Sequence, residues 1–189
     1  MIRAFIAINL DPQVIEEIAK IQAQLRKAGG DIRWGRPEGF HLTLKFLGDI
    51  QRDQVTAILA ALQNALRGQS PLSVIAQGLG AFPHVKRPRV LWVGLQGEGL
   101  KELIDKIEQA LILLDFPPED RDFTPHLTLG RVRSLRGWEK VLPVVQEKQA
   151  ERFGESQVSE VVLYRSDLKS DGAVYTPLGK VALAGLQSL

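Results

Sequence analysis

Two histidines carry the chemistry that this sequence offers. His41-Leu42-Thr43-Leu44 returns 85 residues on as His126-Leu127-Thr128-Leu129, and the chain holds only one other histidine, His84. In a strand, residues i and i+2 share a face. Each copy therefore reads as a strand that buries its leucines and shows an imidazole and a hydroxyl to a groove. Side by side, two such strands surround one small anion with two imidazoles and two hydroxyls. A neutral imidazole takes a proton and a charged one gives a proton, so the set suits acid–base chemistry on a phosphate. Lys45 shares the His41 and Thr43 face by alternation and so points toward the same anion. Arg131 follows the second motif, where strict alternation aims it at the leucine side unless a twist or bulge intervenes.

Other uses of these residues have to be weighed. A lone histidine facing into a sheet is usually a hydrogen-bonded core residue, but two at matched positions, each with Thr at i+2, argue against that. A structural zinc site wants four nitrogen or sulfur ligands. The chain has no cysteine, and beyond the pair only His84 remains. Metal: none is the expectation, and no cofactor is implied. His84 sits in a Pro- and Lys/Arg-rich turn and reads as a solvated loop residue. The clusters Lys86, Arg87, Arg89 and Arg131, Arg133, Arg136 could steer a polyanion backbone, although exposed basic residues are mostly just solvated.

The elements that must position the motifs are legible in order. Ile2–Leu10 is an apolar run that reads as a central strand. Asp11-Pro12 opens a helix whose face is Val14, Ile15, Ile18, Ile21 and Leu25, closed by Gly29-Gly30. Ile32–Trp34 is a short extended piece before the first motif strand, which runs to Gly48. Val55, Ile58, Leu59, Leu62 and Leu66 mark a second helix. Leu72–Phe82 and Val90–Leu95 read as strands around the Pro83–Pro88 turn. Leu100, Leu103, Ile104, Ile107, Leu111 and Leu114 form the clearest amphipathic helix, and Pro117-Pro118 stops it. The second motif strand follows. Ser134–Gln149 is weakly helical, with Pro143 arguing for a kink or a short helix. Val158–Arg165 and Val174–Leu183 alternate as two closing strands. Strand, helix, motif strand, helix thus occurs twice, an internal duplication.

Composition sets the bounds. The 189 residues are 44% hydrophobic, enough for one domain of two small lobes sharing a core, residues 1–189. A net charge of +2 permits an anionic partner but falls short of a DNA-coating protein. Without cysteine there is no disulfide framework and no thiol nucleophile. No run approaches the ~18 apolar residues of a membrane span. The first residues form an apolar stretch about a strand long, with no basic leader. A soluble, cytoplasmic monomer is the expectation.

With both motifs in their surroundings, the chain resembles the 2H phosphoesterase superfamily, and within it the RNA 2′,3′-cyclic phosphodiesterases once called 2′-5′ RNA ligases. The likeness covers nearly the whole chain. It rests on Arg3-Ala4-Phe5-Ile6-Ala7-Ile8, the Trp34 segment, His41 to Gly48, Pro88 to Gly94 and Pro125 to Arg131. The resemblance implies an α+β fold of two pseudo-symmetric lobes, with antiparallel sheets lining a central cleft and helices outside. It also implies His41 as proton donor to the departing 3′ oxygen and His126 as base on water, with a 2′-phosphate left behind. Thr43 and Thr128, short and stiff, suit the non-bridging oxygens, and Lys45 and Arg131 are the candidate further contacts. The expected partners are RNA with 2′,3′-cyclic phosphate ends or small cyclic nucleotides. Two alternatives stay open: an RNA ligase running the same site backwards, and a non-catalytic nucleotide-binding module, against which the intact His and Thr pairs speak.

Overall fold

The computed structural model describes residues 1–189 except 121, 171 and 186–189. In chain order its elements are β1 (Ile2–Ile8), α1 (Pro12–Ala28), β2 (Ile32–Trp34), a 3-10 turn (Pro37–Gly39), β3 (Leu42–Ile50), α2 (Gln54–Ala65), β4 (Leu72–Phe82) and β5 (Val90–Gln96). Then come α3 (Leu100–Ile112), β6 (His126–Val132), α4 (Trp138–Glu147), β7 (Arg152–Val158), β8 (Glu160–Lys169) and β9 (Gly172–Ala182). They form two antiparallel sheets, ordered β3-β1-β8-β9 and β2-β6-β5-β4-β7. Each sheet carries one motif strand, β3 in the first and β6 in the second. The α+β architecture of two sheets facing a cleft is therefore as the resemblance implied.

The two lobes are not the two halves of the chain. β1 is buried from Ala4 to Ile8 and needs a strand on each side, so β8 from the far end of the sequence pairs with it. β2, from the first half, instead edges the second sheet beside β6. The helices cross over as well. α1 turns Val14, Ile18, Ile21 and Leu25 inward and packs on β7 and α4, whereas α3 packs on β3 and α2. Each half thus supplies a helix to each sheet, which ties the lobes together.

One strand escaped the sequence reading. Arg152–Val158 is too polar to stand out, but as an edge strand on β4 it needs to bury only Phe153, Ser156 and Val158. It also fixes the start of α1, because Asp11 N–H donates to Ser156 Oγ (2.9 Å) and Asp11 Oδ2 accepts from Gln157 N–H (3.0 Å). The closing strands consequently number three rather than two. Pro143 lies inside α4, which is short, as a proline predicts.

Both motif strands lose register at the same letter. β1 pairs Ile6 with Lys45 and Ala7 with Thr43, which leaves Leu44 unpaired. β5 pairs Leu91 with Gly130 and Trp92 with Thr128, which leaves Leu129 unpaired. One extra residue reverses the face of everything that follows it. His41, Thr43, His126 and Thr128 face the cleft before the bulge. After it, Lys45 and Gly130 turn toward the helices, while Phe46 and Arg131 turn toward the cleft. The motif leucines are buried in both strands.

The second bulge is held from beneath. Gln22 on α1 is 2% exposed and donates to the carbonyls of Leu129 (3.0 Å) and Gly35 (2.8 Å). A buried carbonyl that loses its donor costs about 1–3 kcal/mol. Gln22→Leu should therefore lower the urea-unfolding free energy by about that amount; an unchanged midpoint would contradict this role.

Candidate active site

The two catalytic-type rings are pinned in one way. His41 Nδ1 lies 2.7 Å from the Gly39 carbonyl, and His126 Nδ1 lies 2.7 Å from the Thr124 carbonyl, each two residues back. The 3-10 turn presents the first carbonyl, and the extended Thr124-Pro125 segment presents the second. A carbonyl oxygen only accepts, so Nδ1 carries the hydrogen in both rings. Nε2 of the neutral ring is then a bare lone pair. His41 Nε2 accepts from Thr43 Oγ1 at 3.0 Å. His126 Nε2 has no hydrogen-bond partner among the described residues.

Aromatic walls surround each ring. Phe5 stacks on His41 at 4.8 Å, Tyr175 meets it edge-on at 5.0 Å, and Tyr164 stacks on Phe5 at 5.4 Å with its own ring 6.4 Å from His41. In the second lobe Phe82 stands edge-on to His126 at 4.8 Å, with Trp92 beside it at 5.1 Å. Gly80 makes that wall possible, because a Cβ there would lie 2.2 Å from the Trp92 ring. Burial by these walls pushes His41 below the ordinary imidazole value, against the raising effect of the Gly39 carbonyl. Burial also lowers His126; the Thr124 carbonyl opposes this and the Arg131 charge adds to it.

The lobes meet along the two motif strands. β3 and β6 approach within 8 Å, Cα to Cα, although they belong to different sheets. Arg131 on β6 lies near enough to favour the ionised form of Tyr175 on β9, against the larger raising effect of burial. The two imidazoles, the two motif hydroxyls and the Arg131 guanidinium thus lie on the strands that approach between the sheets. Among the described residues no three His, Cys, Asp or Glu side chains cluster as a metal-ligand set.

A family model described as LigT like Phosphoesterase matches residues 8–92 and, a second time, residues 93–175. The chain belongs to that LigT-like phosphoesterase family. The double match falls once on each motif half. The chain is 35% identical to the RNA 2′,3′-cyclic phosphodiesterase of Methanothermobacter thermautotrophicus, covering 94% of this chain and 96% of that one. It is 32% identical to the protein of the same name from Aquifex aeolicus, over 98% and 99% of the two chains. Among solved structures, Thermus thermophilus TT0787 superposes with a TM-score of 0.83 at 29% identity, over 98% of this chain and 100% of that one. Escherichia coli LigT, crystallised with 3′-AMP, shares the fold with a TM-score of 0.75 at 24% identity, over 96% and 98%.

In this LigT-like chain Lys45 does not share the face of His41 and Thr43. The Leu44 bulge turns it inward, where it is 4% exposed and donates to Glu108 Oε2 on α3 (2.9 Å) and to the Pro117 carbonyl. Its charge holds β3 to α3 and is not offered to a phosphate. Removing one partner of a buried pair leaves the other charge uncompensated, at a cost of about 3–5 kcal/mol. Lys45→Ala should thus unfold at markedly lower urea, while its folded fraction keeps turnover close to wild type. A hundredfold loss of kcat/KM in a variant of undiminished stability would restore the phosphate contact.

The same device at Leu129 brings Arg131 into the cleft, which alternation alone denied. Phe46 takes the corresponding place in β3 and is 59% exposed, 6.1 Å from Phe5. His84 sits in the turn between β4 and β5, where its Nδ1 accepts from Lys86 N–H (3.2 Å). Lys86, Arg87 and Arg89 are exposed there, as are Arg133 and Arg136 beyond β6. Phe5, Tyr164, Tyr175, Phe82, Trp92 and Gln22 were not anticipated. Alternation along Arg3, Phe5 and Ala7 was the one signal that could have found Phe5.

Proposed function

We propose that this chain opens 2′,3′-cyclic phosphates at RNA ends by water attack, leaving a 2′-phosphate, through acid–base catalysis by His126 and His41 and without a metal. The observation that carries the reading is the shared Nδ1 anchoring, which leaves both Nε2 atoms for proton transfer in the cleft. His126 takes a proton from water as the water oxygen bonds to phosphorus. The bond from phosphorus to the 3′ oxygen breaks, and His41 delivers a proton to that oxygen. Each transfer is worth about 10²–10⁴-fold. Thr43 and Thr128 hydroxyls hold the non-bridging oxygens as charge builds, with Arg131 opposite them.

The neighbours of each ring support this division of roles. Arg131 favours neutral His126, whose Nε2 is unengaged, as a base requires. No cation among the described residues lowers His41, and a bound phosphate charge favours its protonated form, as an acid requires. The names carried by the relatives from Methanothermobacter and Aquifex support RNA ends as the substrate. Both motif strands come from one chain, which supports a monomer with both lobes as one unit, residues 1–189. No helix among the described residues is long and apolar enough to cross a membrane, and we place the enzyme in the cytoplasm, where RNA ends arise. The reverse reaction would join a cyclic end to a 5′-hydroxyl with the same residues, but abundant water drives the equilibrium toward opening.

Incubation of a 2′,3′-cyclic oligonucleotide with the protein in EDTA tests this directly. The 2′-phosphate product should form at an undiminished rate. A rate abolished by chelation and restored by zinc or manganese, or a 3′-phosphate product, would overturn it.

A further inference from the structure

Arg33 is a cation on the cleft that the catalytic steps leave unused. β2 pairs with β6 so that Arg33 lies directly opposite Arg131, with Trp34 opposite Gly130. Ile32 and Trp34 pack into the core, and Gly130 gives them room. A Cβ on Gly130 would meet Ile32 Cγ2 at 2.8 Å and the Trp34 ring at 3.2 Å. With its neighbours seated inward, Arg33 must face the cleft beside Arg131, and it is exposed there.

Like charges directly opposite across a ladder repel each other. Here no acid among the described residues compensates the repulsion. Neither arginine makes an ion pair or side-chain hydrogen bond with another described residue. Asp31, two residues back along the chain, is already taken by Ser134 Oγ (2.7 Å) and approached by Arg136 (4.0 Å). Two guanidiniums held side by side without a carboxylate are arranged for an anion brought by a ligand.

Their reach differs. The Arg131 charge acts on His126 and on Tyr175, so it belongs to the phosphorus that reacts. Arg33 stands one strand further out, about 4.8 Å away. That is the scale of one nucleotide step. In RNA with a cyclic end, the next anion is the phosphodiester on the 5′ side of the terminal nucleotide. A cyclic mononucleotide has no such group.

We propose that Arg33 binds this second phosphate and makes the site selective for RNA ends over cyclic mononucleotides, an inference that rests on the hydrolase reading above. The guanidinium offers a planar fork to two phosphate oxygens, and its contribution is to ground-state binding rather than to the reacting bond.

The test compares kcat/KM for a dinucleotide with a 2′,3′-cyclic end against the cyclic mononucleotide of the same terminal base. Wild type, R33A and R33K are measured, with circular dichroism to confirm folding. Wild type should prefer the dinucleotide. R33A should lose about tenfold on the dinucleotide, mainly through KM, and much less on the mononucleotide, with R33K recovering part of the difference. The salt dependence of dinucleotide binding should also flatten by about 0.7 in log–log slope. No preference in wild type, or an equal loss on both substrates in R33A, would overturn the assignment. Should wild type turn over neither substrate, the hydrolase reading falls. Equilibrium binding of the unreactive 2′-phosphate-ended dinucleotide then decides Arg33, tenfold weakening in R33A supporting it and equal affinity refuting it.

Discussion

Replacing either His41 or His126 by alanine is expected to lower kcat on a 2′,3′-cyclic substrate by at least ~10²-fold. Each ring performs one half of a coupled transfer, so losing either strands the other. The double variant should therefore be little slower than the worse single one, far from the product of the two effects. Thr43→Ala and Thr128→Ala should cost less, because each hydroxyl is one of several donors to the phosphate oxygens. The Thr43 change has an added consequence, since its hydroxyl also holds His41 Nε2 at 3.0 Å. Steady-state kinetics on the folded variants checks all five proteins. A single histidine variant with near-wild-type turnover would refute the pairing.

The second large effect is in pH. A reaction that needs one neutral and one charged imidazole gives a bell-shaped kcat/KM, whose limbs belong to the coupled pair. The acidic limb falls where the base gains its proton, and the basic limb falls where the acid loses its own. Both rings are held below the ordinary value of 6.5 by burial in the unliganded cleft, so the kcat/KM bell should centre on the acid side of 6.5. The substrate charge favours protonated rings, so the kcat bell should lie at higher pH than the kcat/KM bell. Arg131→Gln removes a cation that depresses His126, so the acidic limb should move to higher pH, along with a lower rate. A rate flat from about pH 5 to 9, with chemistry rate-limiting, would mean that the histidines trade no protons. Replacing His126 should flatten the acidic limb and replacing His41 the basic one; the opposite result would keep the reaction and reverse the roles.

Period-2 alternation was enough to place His41, Thr43, His126 and Thr128 on exposed strand faces, and the repeated word indicated that two such strands share a site. Alternation failed one residue later in both motifs. Leu44 and Leu129 look like any inward leucine, and nothing local marks them as the extra residue of a bulge. The outcome depends on partners, Gln22 and Gly35 beneath Leu129 and Glu108 beneath Lys45, that are remote in sequence. That is why Lys45 was read toward the cleft and Arg131 away from it. The aromatic walls were hidden for the same reason: Phe5, Tyr164 and Tyr175 come from β1, β8 and β9, and only the sheet order makes them neighbours. Long helices with strict spacing, such as α3, needed no such context. The polar edge strand β7 did, because half of it faces solvent.

The anchoring of both imidazoles is the centre of the account, and nitrogen-15 NMR of the histidine rings reads it directly. Spectra are recorded across pH with and without a nucleoside 2′-monophosphate, the product of the proposed reaction. His41 and His126 should each appear as the Nδ1–H tautomer when neutral, titrate below 6.5 in the free protein, and shift upward together when the nucleotide binds. His84, away in the β4–β5 turn, should show no response to the nucleotide. An Nε2–H tautomer at either motif histidine, or a nucleotide that moves one ring and leaves the other untouched, would contradict a single site built from two strands.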